Sequence, residues 1–384
     1  MRILKKAAKA LFLPLGFLNS CIPKNPYSMF FYSNLGFRDN VKSLYDYVIS
    51  KGLNSRFKIT VATDEYKAFR KNAPKNVRFV GTAQGIFSFL RSKNCFYSFG
   101  KYPIKPKRDQ IVVNLWHGMP LKSVGRLEKG HQNDDQNFFT HIIATSPFFA
   151  DILCRAFGAQ QEQVLITSQP RCDVFYEDAA KPEFFSDYDK IIFWLPTFLS
   201  SKRLGQTDGF YEEVNPYDAH FLRQICPILE EKKILLVIKP HPMDDVVLPR
   251  QHFSNLLYLN DKDLSEKGVT IYELLKYSNA LVTDFSSIYF DYLLLDRPIA
   301  FACPDTEEYR QKRGFVTEDI SELMPGYHIY NADDFSSFVS AVANGEDPYS
   351  EKRRECNLCF NTFTSGGGSQ RILNELRICK SEEK

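Results

Sequence analysis

The sequence lacks an apolar run long enough to cross a bilayer: Leu11-Phe12-Leu13-Pro14-Leu15-Gly16-Phe17-Leu18 falls well short of the roughly 20 residues a helical span needs. It shows no fixed-period repeat, which excludes a solenoid or a propeller. Cys356 and Cys359 form a C-x-x-C, but no second Cys or His pair at zinc spacing follows, so no full zinc ligand set is present. No nucleic-acid-binding module is recognisable, and Lys and Arg are interspersed among apolar strands. A hydrophobic fraction of 44% and a charged fraction of 25% exclude a disordered, collagen-like or coiled-coil chain. The nine cysteines are odd in number and scattered, several in apolar runs (Cys95, Cys154, Cys226, Cys303). They read as buried thiols of a reducing compartment, not as a disulfide framework.

What is present is a chain of 384 residues, long enough for two α/β domains. Formal net charge is only +3, yet residues 1–110 hold 21 Lys/Arg against 5 Asp/Glu, and the remainder 28 against 41. The first part therefore faces something anionic: a membrane surface, a phosphate polymer or a nucleic acid. The N-terminal segment, with Lys5, Lys6 and Lys9 ahead of its apolar run, has three readings: an interfacial anchor, a helix packed on the core, or a signal peptide.

Short apolar segments recur at 28–32, 57–62, 77–80, 110–115, 141–144, 191–195, 234–238, 280–282 and 299–301. Amphipathic stretches at 40–50, 146–157, 218–231 and 271–277 alternate with them. That alternation predicts parallel sheets with crossover helices. The charged stretch 181–190, which contains Pro182, marks a boundary, so the expected organisation is a segment 1–24, a first α/β domain 25–182 and a second 183–384. A C-terminal helix around Arg371 to Arg377 crosses back to the first. In doubly wound sheets ligands bind beyond the carboxyl ends of the strands.

His117, in Asn114-Leu115-Trp116-His117-Gly118-Met119-Pro120-Leu121-Lys122, follows such a strand and stands before a turn. There it is placed either as a base for an acceptor hydroxyl or as a histidine satisfied within a turn. His241, in Lys239-Pro240-His241-Pro242, ends another strand in a loop that two prolines stiffen. Thr283-Asp284-Phe285-Ser286-Ser287 runs from a strand into a helical pattern, where the hydroxyls serve as a phosphate site or as a plain helix cap. Arg171, in Pro170-Arg171-Cys172-Asp173, is available for a bidentate phosphate contact. Thr197 ends the 191–195 strand, Arg313 precedes Gly314-Phe315 and serves as an anion contact or a surface ion pair, and Gly366-Gly367-Gly368 is a weak phosphate-loop signal.

In this order the segments resemble the CDP-glycerol glycerophosphotransferase family, the enzymes that prime and polymerise wall teichoic acids and related capsules. The resemblance rests on Trp-His-Gly-x-Pro-Leu-Lys, Pro-Arg-x-Asp, Pro-Thr-Phe, Pro-His-Pro, Thr-Asp-Phe-Ser-Ser with Phe-Asp after it, and Glu-Tyr with Arg-Gly-Phe. The Tyr32-x-Asn34 and Asn40-x-Lys42-x-Leu44-Tyr45 stretch is similar to the family's N-terminal segment. The resemblance implies an α/β, GT-B-like fold of two doubly wound Rossmann-type domains facing a central cleft, acceptor side first and CDP-donor side second. It implies His117 and His241 as catalytic, and Arg171, Asp173, Thr197, Lys239, Asp284, Ser286, Ser287 and Arg313 as donor-binding. Asn34 and Lys122 would meet acceptor or phosphate. The donor would be CDP-glycerol or CDP-ribitol, and the acceptor a lipid-linked saccharide or a polyol-phosphate polymer. The site would lie at the inner face of the cell membrane, with no metal ligand set, a divalent-metal requirement left open, and no nucleic acid. Leu199-Ser200-Ser201 after Pro-Thr-Phe and Ser365-Gly366 near the end depart from the family pattern and leave alditol and acceptor open. Two other readings remain: a nucleotide-sugar glycosyltransferase of the same fold, and a non-catalytic module that binds anionic lipid or polymer.

Overall fold

Strands that are apolar along their whole length, rather than at every second position, bury both faces. Met29, Phe30 and Phe31 in β1 (Asn25–Ser33) are successive and all buried. Phe31 faces the cluster that includes Val41, Leu44 and Ile372, whereas Phe30 packs on Phe89 and Tyr102. The computed structural model, which describes residues 14–197, 200–201, 206–207, 214–241, 253–303 and 306–378, places such strands in two parallel sheets. The first half of the N-terminal segment, Phe198, Lys202, Arg203 and Pro242 lie outside the described residues.

The first sheet joins β3 (Val77–Val80), β2 (Lys58–Thr63), β1, β4 (Ser92–Tyr97), β5 (Ile111–Asn114), β6 (His141–Ala144) and β7 (Val164–Ile166) in that order. All of its pairings are parallel. The second sheet joins β12 (Leu256–Tyr258), β11 (Ile234–Ile238), β8 (Lys190–Leu195), β13 (Ala280–Thr283), β14 (Ile299–Phe301) and β15 (Tyr327–His328), again all parallel. A short antiparallel ribbon pairs β9 (Ser200–Ser201) with β10 (Gln206–Thr207). Each large sheet runs outward from its first strand and then restarts on that strand's other side. The order therefore reverses between β1 and β4 in one sheet and between β8 and β13 in the other. These are the switch points at which open α/β sheets hold ligands.

The two sheets belong to separate compact units. One comprises the chain up to Met119, Gly130–Asp173 and the part from Thr362 on; the other comprises Pro120–Lys129 and Val174–Asn361. The change of unit after Asp173 comes earlier than the boundary expected at 182/183, and Lys122 lies in the second unit. The last described helix, Gly368–Glu375, belongs to the first unit. Its Ile372 and Leu373 pack with Val41 and Leu44 of the helix Asp39–Ser50.

Helix boundaries follow local chemistry. Asp218 accepts from the amides of His220 and Phe221 at the start of Ala219–Glu231, and Pro147 opens Pro147–Phe157, which stops at Gly158 in the left-handed region. In the second unit Trp194 of β8 is fully buried among Phe221 and Phe335, joining one sheet face to the helices Ala219–Glu231 and Ala332–Asn344.

Candidate active site

In the first unit the chain leaves β5 at Asn114 and turns at once. Asn114 Oδ1 accepts from the Trp116 amide at 3.0 Å, and Trp116 takes a positive φ of 50°. A large residue seldom adopts that backbone, so the surrounding structure must hold it there. Asn40 supplies the hold. Fully buried, it donates to the carbonyl of Leu115 (3.0 Å) and to Oε1 of Gln169 (2.9 Å), and its own Oδ1 accepts from the Arg171 amide (3.2 Å). One side chain thus ties the His117 turn to the Gln169–Arg171 loop.

His117 follows. Its ring packs on Phe99 (centroids 5.0 Å apart) and on Trp116 (3.9 Å), with part of the residue still exposed. Dense apolar packing drives its pKa down to about 4; Asp39 pulls it upward and Arg171 opposes that pull. The imidazole is therefore neutral at physiological pH, the form that can accept a proton. A phosphate group arriving nearby would raise its basicity.

Arg171 is 6% exposed, and its guanidinium donates to Asp39 Oδ2 at 2.6 Å and to the His117 carbonyl at 3.0 Å. Asp173 accepts on its two oxygens from the amides of Gly368 (2.7 Å) and Ser369 (3.0 Å) and so closes the start of the last helix. The glycine run beside it serves close packing, because a Cβ on Gly368 would lie 2.6 Å from the Ser168 carbonyl oxygen. Asn34, just past β1, is exposed and lies against Gly100.

In the second unit the turns after β8 and β13 meet at the switch point. Thr197 donates through its amide and its hydroxyl to Asp284 Oδ2, each at 2.8 Å, with Asp284 2% exposed. The two residues brace each other. Just beyond, Ser286 and Ser287 remain partly exposed. Ser287 precedes the short helix Ile288–Tyr292 without a side-chain cap bond, so capping does not account for it.

Lys122 reaches the same neighbourhood, its ammonium 5.5 Å from the Tyr309 ring and its backbone bridged to Phe315; both rings pack on Phe285. His241 follows β11 and is partly exposed. Lys239, 9% exposed, is paired with Asp261 at 2.8 Å, and Arg313 sits 3.7 Å from Glu128, the ion pair that was its alternative role. Among the described residues no group of three or more His, Cys, Asp or Glu could hold a metal ion.

A model of the CDP-Glycerol:Poly(glycerophosphate) glycerophosphotransferase family matches residues 15–377. The chain belongs to this family. The teichoic acid poly(ribitol-phosphate) polymerase of Bacillus spizizenii (strain ATCC 23059 / NRRL B-14472 / W23) is 28% identical to it over 83% of this chain and 52% of its own length. The teichoic acid glycerol-phosphate transferase of Staphylococcus aureus (strain NCTC 8325 / PS 47) is 27% identical over 69% of this chain and 70% of its own. The chain thus spans about half of the first relative and a larger share of the second.

Among solved structures, the wall teichoic acid polymerase TagF superposes with a TM-score of 0.73 at 20% identity, covering 94% of this chain and 91% of that chain. That likeness establishes the GT-B-like fold. A UDP-N-acetylglucosamine 2-epimerase from Listeria monocytogenes, described as putative, also matches, with a TM-score of 0.52 at 10% identity over 93% of this chain and 96% of that chain. The architecture therefore hosts other chemistry, and within the glycerophosphotransferase family function has to be argued from the turns beyond the strands.

Proposed function

We propose that the protein transfers an alditol phosphate, glycerol phosphate foremost, from a CDP-alditol to a hydroxyl of a lipid-linked or polymeric acceptor in teichoic-acid-like or capsule polymer synthesis. The observation that carries this is the turn at the β8/β13 switch point. Buried Thr197 and Asp284 there brace a loop that leaves Ser286 and Ser287 partly exposed, with Lys122 over the ring of Tyr309, which packs on the same loop's Phe285. Hydroxyls and one cation beyond the strand ends suit a diphosphate. Neutral His117 takes the proton of the acceptor hydroxyl; its oxygen forms the new bond to the alditol-bearing phosphorus; the anhydride bond breaks and CMP leaves with the electron pair. His241 is proposed to stabilise charge on the phosphate, and Asn34 to meet the acceptor.

We also propose that the first unit works against an anionic membrane surface. Phe17 and Leu18, within the helical residues 14–21, are 71% and 45% exposed, and Phe87 on the helix Thr82–Arg91 is 68% exposed. The helical segment is fastened rather than loose. Asn19 donates to the Lys105 carbonyl and to Gln110, Lys24 to the Leu90 carbonyl, and Arg108 to the Ser20 carbonyl. Exposed Arg91 ends the helix that carries Phe87, and exposed Lys107 and Arg108 lie in the loop to which Asn19 and Ser20 of the helical segment are bonded. Apolar side chains with flanking cations describe a surface that lies on a bilayer without crossing it.

CMP release measured with CDP-glycerol, CDP-ribitol and UDP-sugars, with lipid-linked saccharide acceptors, tests the first proposal. Acceptor-dependent CMP release that is lost in His117→Ala is the expected outcome; UDP release instead would make the protein a glycosyltransferase.

A further inference from the structure

The Asp39–Arg171 pair has the geometry of a brace for the His117 turn. Asp39 takes a φ of 64°, the left-handed region, at the first position of the helix Asp39–Ser50. A helix start does not require that backbone, and an L-residue holds it only when its surroundings compensate. The compensation is visible. The Asp39 carboxylate receives the Arg171 guanidinium at 2.6 Å and its own neighbour's amide, Asn40 N, at 2.6 Å. Arg171 in turn grips the His117 carbonyl, and the next residue of the same helix, Asn40, grips the carbonyls of Leu115 and, at 3.3 Å, Trp116. Three successive carbonyls leading into His117 are thus held from one helix start and the loop paired to it. Asp39 and Arg171 are 15% and 6% exposed at the side chain, so little of the pair is open to a ligand.

We propose that Asp39 and Arg171 are positioning residues that fix the backbone and orientation of His117, and that Arg171 does not contact the donor. The proposal rests on His117 acting as the base. It separates two outcomes that are easily confused. A donor-binding arginine, once removed, raises KM for the CDP-alditol; a positioning pair, once broken, lowers kcat and leaves that KM in place. A small displacement of a reacting group costs up to about 100-fold in rate.

The test uses Asp39→Gly, Asp39→Asn and Arg171→Lys in the full chain. Glycine adopts φ near +64° without strain and asparagine tolerates it, so both variants at position 39 keep the helix start while losing the carboxylate. The expected result is a kcat lowered about 10- to 100-fold with KM for CDP-glycerol within about twofold of the parent, and a melting temperature for Asp39→Gly no lower than that of Asp39→Asn. A KM raised tenfold with kcat retained in Arg171→Lys would overturn the proposal.

An independent readout is the His117 imidazole followed by NMR titration with selectively labelled histidine, assigned from His117→Gln. Loss of the Asp39 charge should shift the midpoint of the His117 signal downward and broaden it, leaving the other histidines unmoved. An unchanged His117 signal would also overturn the proposal. Because this readout needs no substrate, a protein that releases no CMP but shows the shifted signal would sink the activity proposed above and leave the brace standing.

Discussion

His117 shows how little a residue's type says about its state. An ordinary histidine titrates near 6.5, whereas burial against Phe99 and Trp116 takes this one to about 4. If it is the base, the free enzyme's kcat/KM should hold steady as pH falls from neutrality to about 5 and drop only as pH passes through about 4. A profile that breaks near 6.5 would assign the proton transfer elsewhere. The same shift bears on stability. Between about 6.5 and 4 the unfolded chain binds a proton that the folded chain refuses, so stability contributed by neutral His117 is present above 6.5 and erodes as pH falls across that window. Its strand-end position before Gly118 and Pro120 was legible in the sequence. Its partners were not: Asp39 carried no signal, because a positive φ and a salt bridge to Arg171, 132 positions away, exist only after the chain has closed.

At the scale of elements, the apolar runs at 28–32, 57–62, 77–80, 110–115, 141–144, 191–195, 234–238, 280–282 and 299–301 each became a strand, because parallel strands covered on both faces carry mostly apolar side chains, with exceptions such as the exposed Arg78 of the edge strand β3. β4 escaped notice because the helix Thr82–Arg91 passes directly into Ser92–Tyr97 with no Gly or Pro between them. β7, β12 and β15 have three residues or fewer and only partly buried or exposed side chains, so no buried apolar run marks them. The last helix depends on a partner distant in sequence. With both Asp173 oxygens on the amides of Gly368 and Ser369, Asp173→Ala should cost about 1–2 kcal/mol in denaturant unfolding while KM for the donor stays unchanged. A raised KM at full stability would return Asp173 to the donor site.

At the scale of the whole molecule, charge and exposed aromatics are what the proposed membrane-facing surface rests on. The excess of 16 positive charges over residues 1–110 accompanies the exposed Phe17, Leu18 and Phe87 in the first unit. Co-sedimentation with vesicles containing anionic lipid should weaken as salt rises and should fall several-fold in the double variant Phe17→Glu, Phe87→Glu, with neutral vesicles bound poorly throughout. Binding that is indifferent to both changes would remove this surface as the docking face. The sequence by itself determined the architecture and the family, because parallel strands and the turns after them are written in contiguous residues. It also placed His117, His241, Ser286 and Ser287 beyond strand ends. Only the tertiary structure gave Arg171, Asp173, Thr197, Lys239 and Asp284 their partners within the protein, since those neighbours come together through folding and adjacency in sequence does not supply them.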